Sequence, residues 1–189
     1  MHESNNLSER HDPSSPLRLG ISACLLGQKV RYDGGHKQNY YLTDTLGPFV
    51  EWTPVCPEME IGLGIPREPL RLVGTADNPR LITQRTHIDH TEAMLKWAAG
   101  RIHELDESGL CGFILKSRSP SCGIQSVRIY NERGMPGPEG AGIWARALME
   151  LNPLLPVVEV DQLQSAFNRE NFIERVFDQH RCLKGWPIS

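Results

Sequence analysis

The sequence predicts an α/β protein: a single-domain, three-layer α-β-α sandwich with a mostly parallel, Rossmann-like sheet. Two patterns predict this class. Strand-like and helix-like segments alternate along the chain, as in parallel β-α-β units. The run Leu110 to Leu115 is almost continuously apolar, as expected of a central strand buried on both faces. The 189 residues are enough for one domain with its own hydrophobic core.

The first half of the chain is predicted to contain four strands. Residues 17–23 alternate between apolar and polar side chains, and the glycines and prolines of residues 57–69 favour a loop. The predicted elements are a strand at 17–23, a loop at 27–36, a helix at 39–47, a strand at 49–55, a surface loop at 57–69, and a hairpin of strands at 70–73 and 80–83.

The second half contains the strongest helix signal, because apolar residues recur at helical spacing between 86 and 108. Gly109 ends that helix. The predicted elements that follow are a strand at 110–115, a Gly/Pro-rich loop at 134–142, a helix at 143–151, a parallel strand at 155–160 and a helix at 163–180.

Composition narrows the classes of partner. The chain has 20 Lys and Arg against 23 Asp and Glu, so it lacks the basic excess typical of nucleic-acid-binding proteins. No apolar stretch approaches the length of a membrane span. Residues 1–16 are polar, lack the apolar core of a signal peptide and are predicted to form a disordered tail before a domain at 17–189. We therefore expect a cytoplasmic protein.

Three cysteines lie in short turns marked by glycine or proline. Cys24, Cys56 and Cys122 each follow a predicted strand. Because ligands of open α/β sheets bind beyond the carboxyl ends of the strands, we expect these three side chains to share one site. The odd total of five cysteines argues against a disulfide framework. Cys111 is predicted to be a core residue, and Cys182 an incidental thiol.

The spacing of the three cysteines suggests a particular kind of metal site. Soft thiolates select zinc, copper(I) or iron–sulfur clusters, and structural zinc sites use paired C-x₂₋₄-C ligands, which this chain lacks. Three thiolates can hold three corners of a [4Fe–4S] cube and leave one iron open as a Lewis acid. The alternative that the cysteines are small buried hydrophobic residues stays open on these residues alone.

Four motifs, in order, closely resemble the thiouracil desulfidase (TudS) family, and the resemblance covers about residues 18–160. They are Ser22-Ala23-Cys24-Leu25-Leu26-Gly27 through Val30-Arg31-Tyr32-Asp33-Gly34-Gly35, Pro54-Val55-Cys56-Pro57-Glu58, Gly62-Leu63-Gly64-Ile65-Pro66-Arg67, and Lys116-Ser117-Arg118-Ser119-Pro120-Ser121-Cys122-Gly123.

The resemblance implies a [4Fe–4S] cluster with one iron not ligated by protein, and hydrolytic removal of sulfur from thiolated uracil to give uracil and hydrogen sulfide. It implies Cys24, Cys56 and Cys122 as ligands, and Glu58 and Ser119 as catalytic residues. The predicted partner is a small thiolated pyrimidine. Some family members carry a further C-terminal domain associated with thiolated transfer RNA. Its absence from this sequence points to the free base or nucleoside.

Ser121, Asp33 and Lys116 are the predicted substrate-binding residues, each with a structural alternative. The serines could cap a helix before Gly123, Asp33 could stabilise its own turn, and Lys116 could pair with a surface carboxylate. Two other functions stay open: a cluster-dependent hydro-lyase, and a non-enzymatic metal- or redox-sensing protein.

Overall fold

The computed structural model of the chain describes residues 16–131 and 133–185. The predicted tail at 1–16 therefore lies, except for Pro16, outside the described residues. The strands are β1 (Leu17–Ser22), β2 (Val50–Val55), β3 (Leu70–Gly74), β4 (Pro79–Thr83), β5 (Gly112–Leu115), β6 (Val127–Tyr130), β7 (Pro136–Gly140) and β8 (Val157–Glu159). The α-helices are α1 (Pro57–Glu60), α2 (Thr91–Glu107), α3 (Ile143–Leu151) and α4 (Ala166–Leu183).

The first sheet has the strand order β2-β1-β5-β8, and every pair in it is parallel. This confirms the predicted α/β class with a parallel sheet. Strands β1 and β5 approach closely at Gly20, where a Cβ atom would lie 2.2 Å from the Phe113 ring. Only glycine leaves room for that aromatic ring in the centre of the sheet.

A second four-stranded sheet, of order β4-β3-β6-β7, was not predicted. Its β3–β4 hairpin was expected and is antiparallel, but β6 pairs with β3 in parallel and β7 with β6 antiparallel. The prediction of a loop at 134–142 is wrong, because Pro136–Gly140 forms β7. This strand lies at the edge of the sheet and has no buried side chain, so it carries no apolar alternation.

Helices cover both faces of the first sheet. Phe113 and Leu115 of β5 belong to an apolar cluster with α2, α3 and the second sheet. Ile114 between them belongs to a second cluster with Phe172 and Val176 of α4. The alternation of side chains along β5 thus separates the two helical layers, as the predicted sandwich requires. Between residues 16 and 185, excluding 132, no helix is both long and apolar enough to cross a membrane.

Several boundaries differ from the prediction, and the expected helix at 39–47 is a π-helical turn at Tyr41–Leu46. The expected loop at 57–69 begins with the single-turn helix α1. Helix α2 starts at Thr91 rather than at 86, because the Asp89 carboxylate accepts hydrogen bonds from the Thr91 amide and hydroxyl at 2.9 and 2.6 Å. The last helix starts at Ala166, after a 3₁₀ turn at Val160–Gln164.

Candidate functional site

The three cysteine turns lie at the carboxyl edge of the parallel sheet and line one cavity of about 390 Å³. Cys24 lies in a 3₁₀ turn directly after β1, and Cys56 is the N-cap residue of α1 directly after β2. Cys122 lies in the turn that follows β5. Cys111 is buried in the core, as predicted, and Cys182 is exposed; neither lines this cavity.

The three lining cysteines are free thiols; Cys122 is buried, and Cys24 and Cys56 are half-buried. Burial raises the pKa of Cys24 from 9.0 to about 11, opposed by the positive charge of Lys116. Burial also raises the pKa of Cys56, and it raises the pKa of Cys122 well above its usual value. Charge repulsion from Cys24 and Cys56 adds to the rise in the pKa of Cys122, so three thiolates become stable together only with positive charge between them. The donor set therefore fits a cationic metal group.

The spacing of the cysteines along the sequence favours a cluster over one structural zinc ion, because the chain lacks paired C-x₂₋₄-C ligands. Among residues 16–131 and 133–185, no group of three or more His, Cys, Asp or Glu side chains is arranged to hold a metal ion. In a [4Fe–4S] cube each thiolate binds a different iron atom, so its ligands stand farther apart than the ligands of one ion. Three soft donors around a cavity fit the cluster better than they fit zinc.

The cavity is otherwise predominantly basic. Its charged lining comprises Arg31, Arg67, Lys116 and Arg118, with Glu58 as the one acidic residue among the described lining residues. Burial lowers the pKa of Lys116, opposed by the nearby Cys24 and Asp161. Such a lining favours a ligand or cofactor that carries negative charge.

Glu58 is held by two neighbours. Its Oε2 atom accepts hydrogen bonds from Arg67, one of them from Nε at 3.0 Å, and a second from Nη2. Its Oε1 atom accepts a hydrogen bond from the Ser121 hydroxyl at 2.9 Å. The Arg67 side chain is 5% exposed and the Glu58 side chain 16% exposed, so this is a largely buried ion pair rather than a solvated loop carboxylate.

Arg67 joins three parts of the cavity wall. Besides binding Glu58, its guanidinium donates to the carbonyl oxygens of Gly64 and Val30, each at 2.9 Å. Its backbone N–H donates to the carbonyl oxygen of Tyr32 at 3.0 Å. A planar guanidinium with several fixed donors is well suited to this role. With these bonds formed, Arg67 is a structural part of the wall and not a free substrate ligand.

The two predicted serines have different positions. Ser119 lines the cavity, and its Oγ accepts hydrogen bonds from the amides of Ser121 and Cys122 at 3.3 and 3.1 Å. Ser121 is fully buried behind the lining, and its hydroxyl is bound to Glu58. The structure therefore places Ser121 beneath the carboxylate, away from the position where a substrate could contact it.

Of the other predicted substrate ligands, only Lys116 lines the cavity. Its ammonium group donates to the carbonyl oxygen of Ser117. Asp33 lies outside the lining, where its carboxylate binds Arg31 at 3.3 and 3.2 Å and accepts the Gly35 amide at 3.0 Å. Those bonds, including the ion pair with Arg31, lower the pKa of Asp33 and stabilise its turn.

The cavity lining also includes residues that were not singled out from the sequence, and three of them are Ser22, Leu70 and Gln84. Ser22, at the end of β1, is buried, and its Oγ accepts the Lys116 amide at 3.0 Å. Leu70 and Gln84 come from the second sheet, and the Gln84 amide nitrogen donates to the Leu70 carbonyl at 3.3 Å. Ser22 lies within the first quoted motif, but nothing near Leu70 or Gln84 in the sequence indicates a site.

Comparisons with known proteins agree with this geometry. The family model of 2-thiouracil desulfurase matches residues 19–160. An uncharacterised protein of Bacillus subtilis (strain 168), YbbK, is 32% identical over 116 residues, which is 59% of this chain and 75% of YbbK. The solved structure of the [4Fe-4S]-dependent thiouracil desulfidase TudS is similar with a TM-score of 0.64 and 32% identity, covering 82% of this chain and 98% of TudS. The family match covers more than half of the chain and both relatives are about one-third identical to it, so the chain belongs to the 2-thiouracil desulfurase family.

Proposed function

We propose that the protein is an iron–sulfur-dependent desulfidase that removes sulfur from a thiolated uracil, such as 2-thiouracil, by hydrolysis. The observation that supports this best is that three cysteines share one cavity with a single, firmly held carboxylate. The family to which the chain belongs and its similarity to TudS support the same activity.

Cys24, Cys56 and Cys122 would hold the [4Fe–4S] cluster. Three ligands are one fewer than the usual four, which leaves one iron without a protein ligand. When bound, the cluster supplies a soft Lewis acid that polarises the carbon–sulfur bond of the substrate. A zinc-sensing role has less support, because the chain lacks the paired C-x₂₋₄-C ligands of structural zinc sites.

Glu58 is proposed as the residue that moves the proton of the attacking water. Arg67 occupies Oε2, whereas among the described residues Oε1 accepts only the Ser121 hydroxyl and keeps a second acceptor position. A carboxylate fixed in this way can accept a proton at Oε1 and return it to the leaving sulfur. Water adds oxygen to the carbon and sulfur leaves as hydrogen sulfide, so no electrons are exchanged.

Ser119 and Lys116 are proposed to orient the pyrimidine. The Ser119 oxygen accepts two backbone amides, so its own hydroxyl hydrogen remains available for a substrate heteroatom. Lys116 supplies ammonium donors to the same cavity. Both groups are hydrogen-bond donors, which suits the oxygen and sulfur acceptors of a thiolated uracil.

The proposal is tested with protein purified and reconstituted under anaerobic conditions. We expect about four irons and four labile sulfides per chain, and release of uracil and hydrogen sulfide from 2-thiouracil. Glu58→Gln should lower kcat by about 100-fold or more with its cluster intact, because a general base typically contributes 10²–10⁴-fold. Glu139→Gln, on the exposed strand β7, is the matched control. A colourless protein that binds one zinc per chain would refute the proposal.

A further inference from the structure

We propose that Glu60, held in place by Arg101 of α2, is a positioning residue for Cys56. The inference rests on the proposed cluster, because it concerns how firmly one of the cluster's three ligands is held. Glu60 does not line the cavity, so it acts through the backbone of Cys56 and not through contact with substrate.

The need for such a residue follows from helix α1. This helix is a single turn, Pro57–Glu60, and a helix this short is not stable without additional contacts. Its N-cap position normally belongs to a residue whose side-chain oxygen binds the first free amides. Here the N-cap residue is Cys56, whose side chain makes no capping hydrogen bond and lies on the cavity instead.

Glu60 supplies the other half of a cap, the half that binds the amide of the N-cap residue itself. Its Oε1 atom accepts a hydrogen bond from the backbone N–H of Cys56 at 3.0 Å. This resembles the returning arm of a capping box, in which an acidic side chain on the first turn binds the amide of the N-cap residue. The contact fixes the peptide plane before Cys56, and hence where the turn places the Cys56 side chain on the cavity wall.

Arg101 connects this cap to the core of the protein. Its Nε atom lies 3.2 Å from Glu60 Oε2, so the two carboxylate oxygens have different partners, the ligand turn and α2. Helix α2 is anchored by the buried side chains of Met94, Ala98, Ile102 and Leu105. Arg101 also binds Glu104 at 2.8 Å, which limits the freedom of its guanidinium. The position of Cys56 is thereby tied to a long, well-packed helix.

Loss of iron to a chelator measures this effect independently of activity. The test follows the absorbance of anaerobically reconstituted protein after addition of a ferrous chelator. We expect Glu60→Ala to lose iron about 10-fold faster than the wild type, because changes behind a metal ligand typically weaken metal sites 10- to 100-fold. Glu60→Gln keeps the acceptor for the Cys56 amide and should stay within about 2-fold of the wild-type rate.

Two further variants separate positioning from general destabilisation. Arg101→Ala leaves Glu60 in place but free to move, and should lose iron about 3-fold faster. Glu107→Ala removes a surface carboxylate of the same helix that pairs with His103 and not with Arg101, and should match the wild type. If Glu60→Ala does not fold, the rate of iron loss from Arg101→Ala tests the inference instead. Wild-type rates for both variants, or equally fast loss from Glu60→Gln and Glu60→Ala, would overturn the inference. A wild type that takes up no cluster would instead refute the proposed function.

Discussion

Among single residues, Arg67 and Glu58 form the most buried ion pair in the described part of the chain. Arg67→Ala should lower the free energy of unfolding of the metal-free protein by about 3 kcal/mol, because it leaves a largely buried carboxylate without its cation. Urea denaturation measures this change.

The control for that prediction is Arg80→Ala. Arg80 lies 3.7 Å from Asp89, and both side chains are exposed, so its removal should cost less than about 1 kcal/mol. Equal losses from the two variants would show that the Arg67–Glu58 pair does not contribute through burial.

The raised pKa of Cys24 predicts how the rate of its alkylation depends on pH. Burial raises its pKa to about 11 in the metal-free fold, so the thiol stays protonated where an ordinary thiol ionises. Only the thiolate reacts with iodoacetamide, and therefore alkylation should keep accelerating until about pH 11. At pH 9 the rate should be roughly 50-fold below that of Cys24 in the urea-unfolded chain. Mass spectrometry of the Cys24 peptide reports the rate; equal rates in the two states would contradict the burial effect.

At the scale of elements, α2 contains a glycine that no packing requires. Gly100 lies in the helix, and a Cβ atom there would meet no heavy atom within 4 Å from any described residue beyond its chain neighbours and the adjacent helix backbone. Gly100→Ala should therefore raise the free energy of unfolding by about 0.5–1 kcal/mol, since alanine loses less backbone entropy. Thermal and urea unfolding should both report the increase, and a decrease would indicate an unrecognised contact at this face.

Gly142 is the opposite case, at the N-cap of α3. A Cβ atom there would lie 2.5 Å from the Ser121 carbonyl group, within the turn that carries Cys122. Gly142→Ala should displace that backbone and both lower stability and reduce the iron bound per chain. Iron analysis after reconstitution, with Gly100→Ala as the matched substitution, checks this; full iron content would contradict it.

The elements differ in how far their sequences determine them. Strand β5 and helix α3 were predictable because their side chains are mostly buried and their patterns match their periods. Strand β7 was not, because it is an exposed edge whose partner, β6, supplies the pairing. The start of α2 depends on the hydrogen bonds of the Asp89 side chain, and the spacing of apolar residues does not predict such bonds.

For the whole molecule, the parallel sheet explains why the cysteines of the site were foreseeable. Chain direction places the ends of β1, β2 and β5 at one edge, so residues after those strands must be neighbours. The presence of Gln84 in the cavity lining was not foreseeable, since it depends on how the second sheet packs against the first. The burial of Ser121 beneath Glu58 likewise follows from tertiary packing, which the local motif does not encode.

Because the three cysteines come from three different turns, binding of the cluster should stabilise the whole fold. A group held by three distant turns binds the folded chain but not the unfolded one, and at about 100 times its Kd such a group adds about 2.7 kcal/mol. We expect reconstitution to raise Tm by about 5–10 °C. Cys122→Ser should show a much smaller rise, and identical Tm values for metal-free and loaded wild type would contradict the expectation.

The pairing of β1 with β5 also determines when the site can form during synthesis. Leu19 of β1 lies beside Gly112 of β5. Strand β1 therefore lacks one of its two neighbours until most of the chain has left the ribosome. Cys122 emerges later still, whereas the thiols of Cys24 and Cys56 are by then already exposed on a partly folded chain. A group bound by all three cysteines can therefore be inserted only after Cys122 has emerged, and until then the first two thiols are open to oxidation.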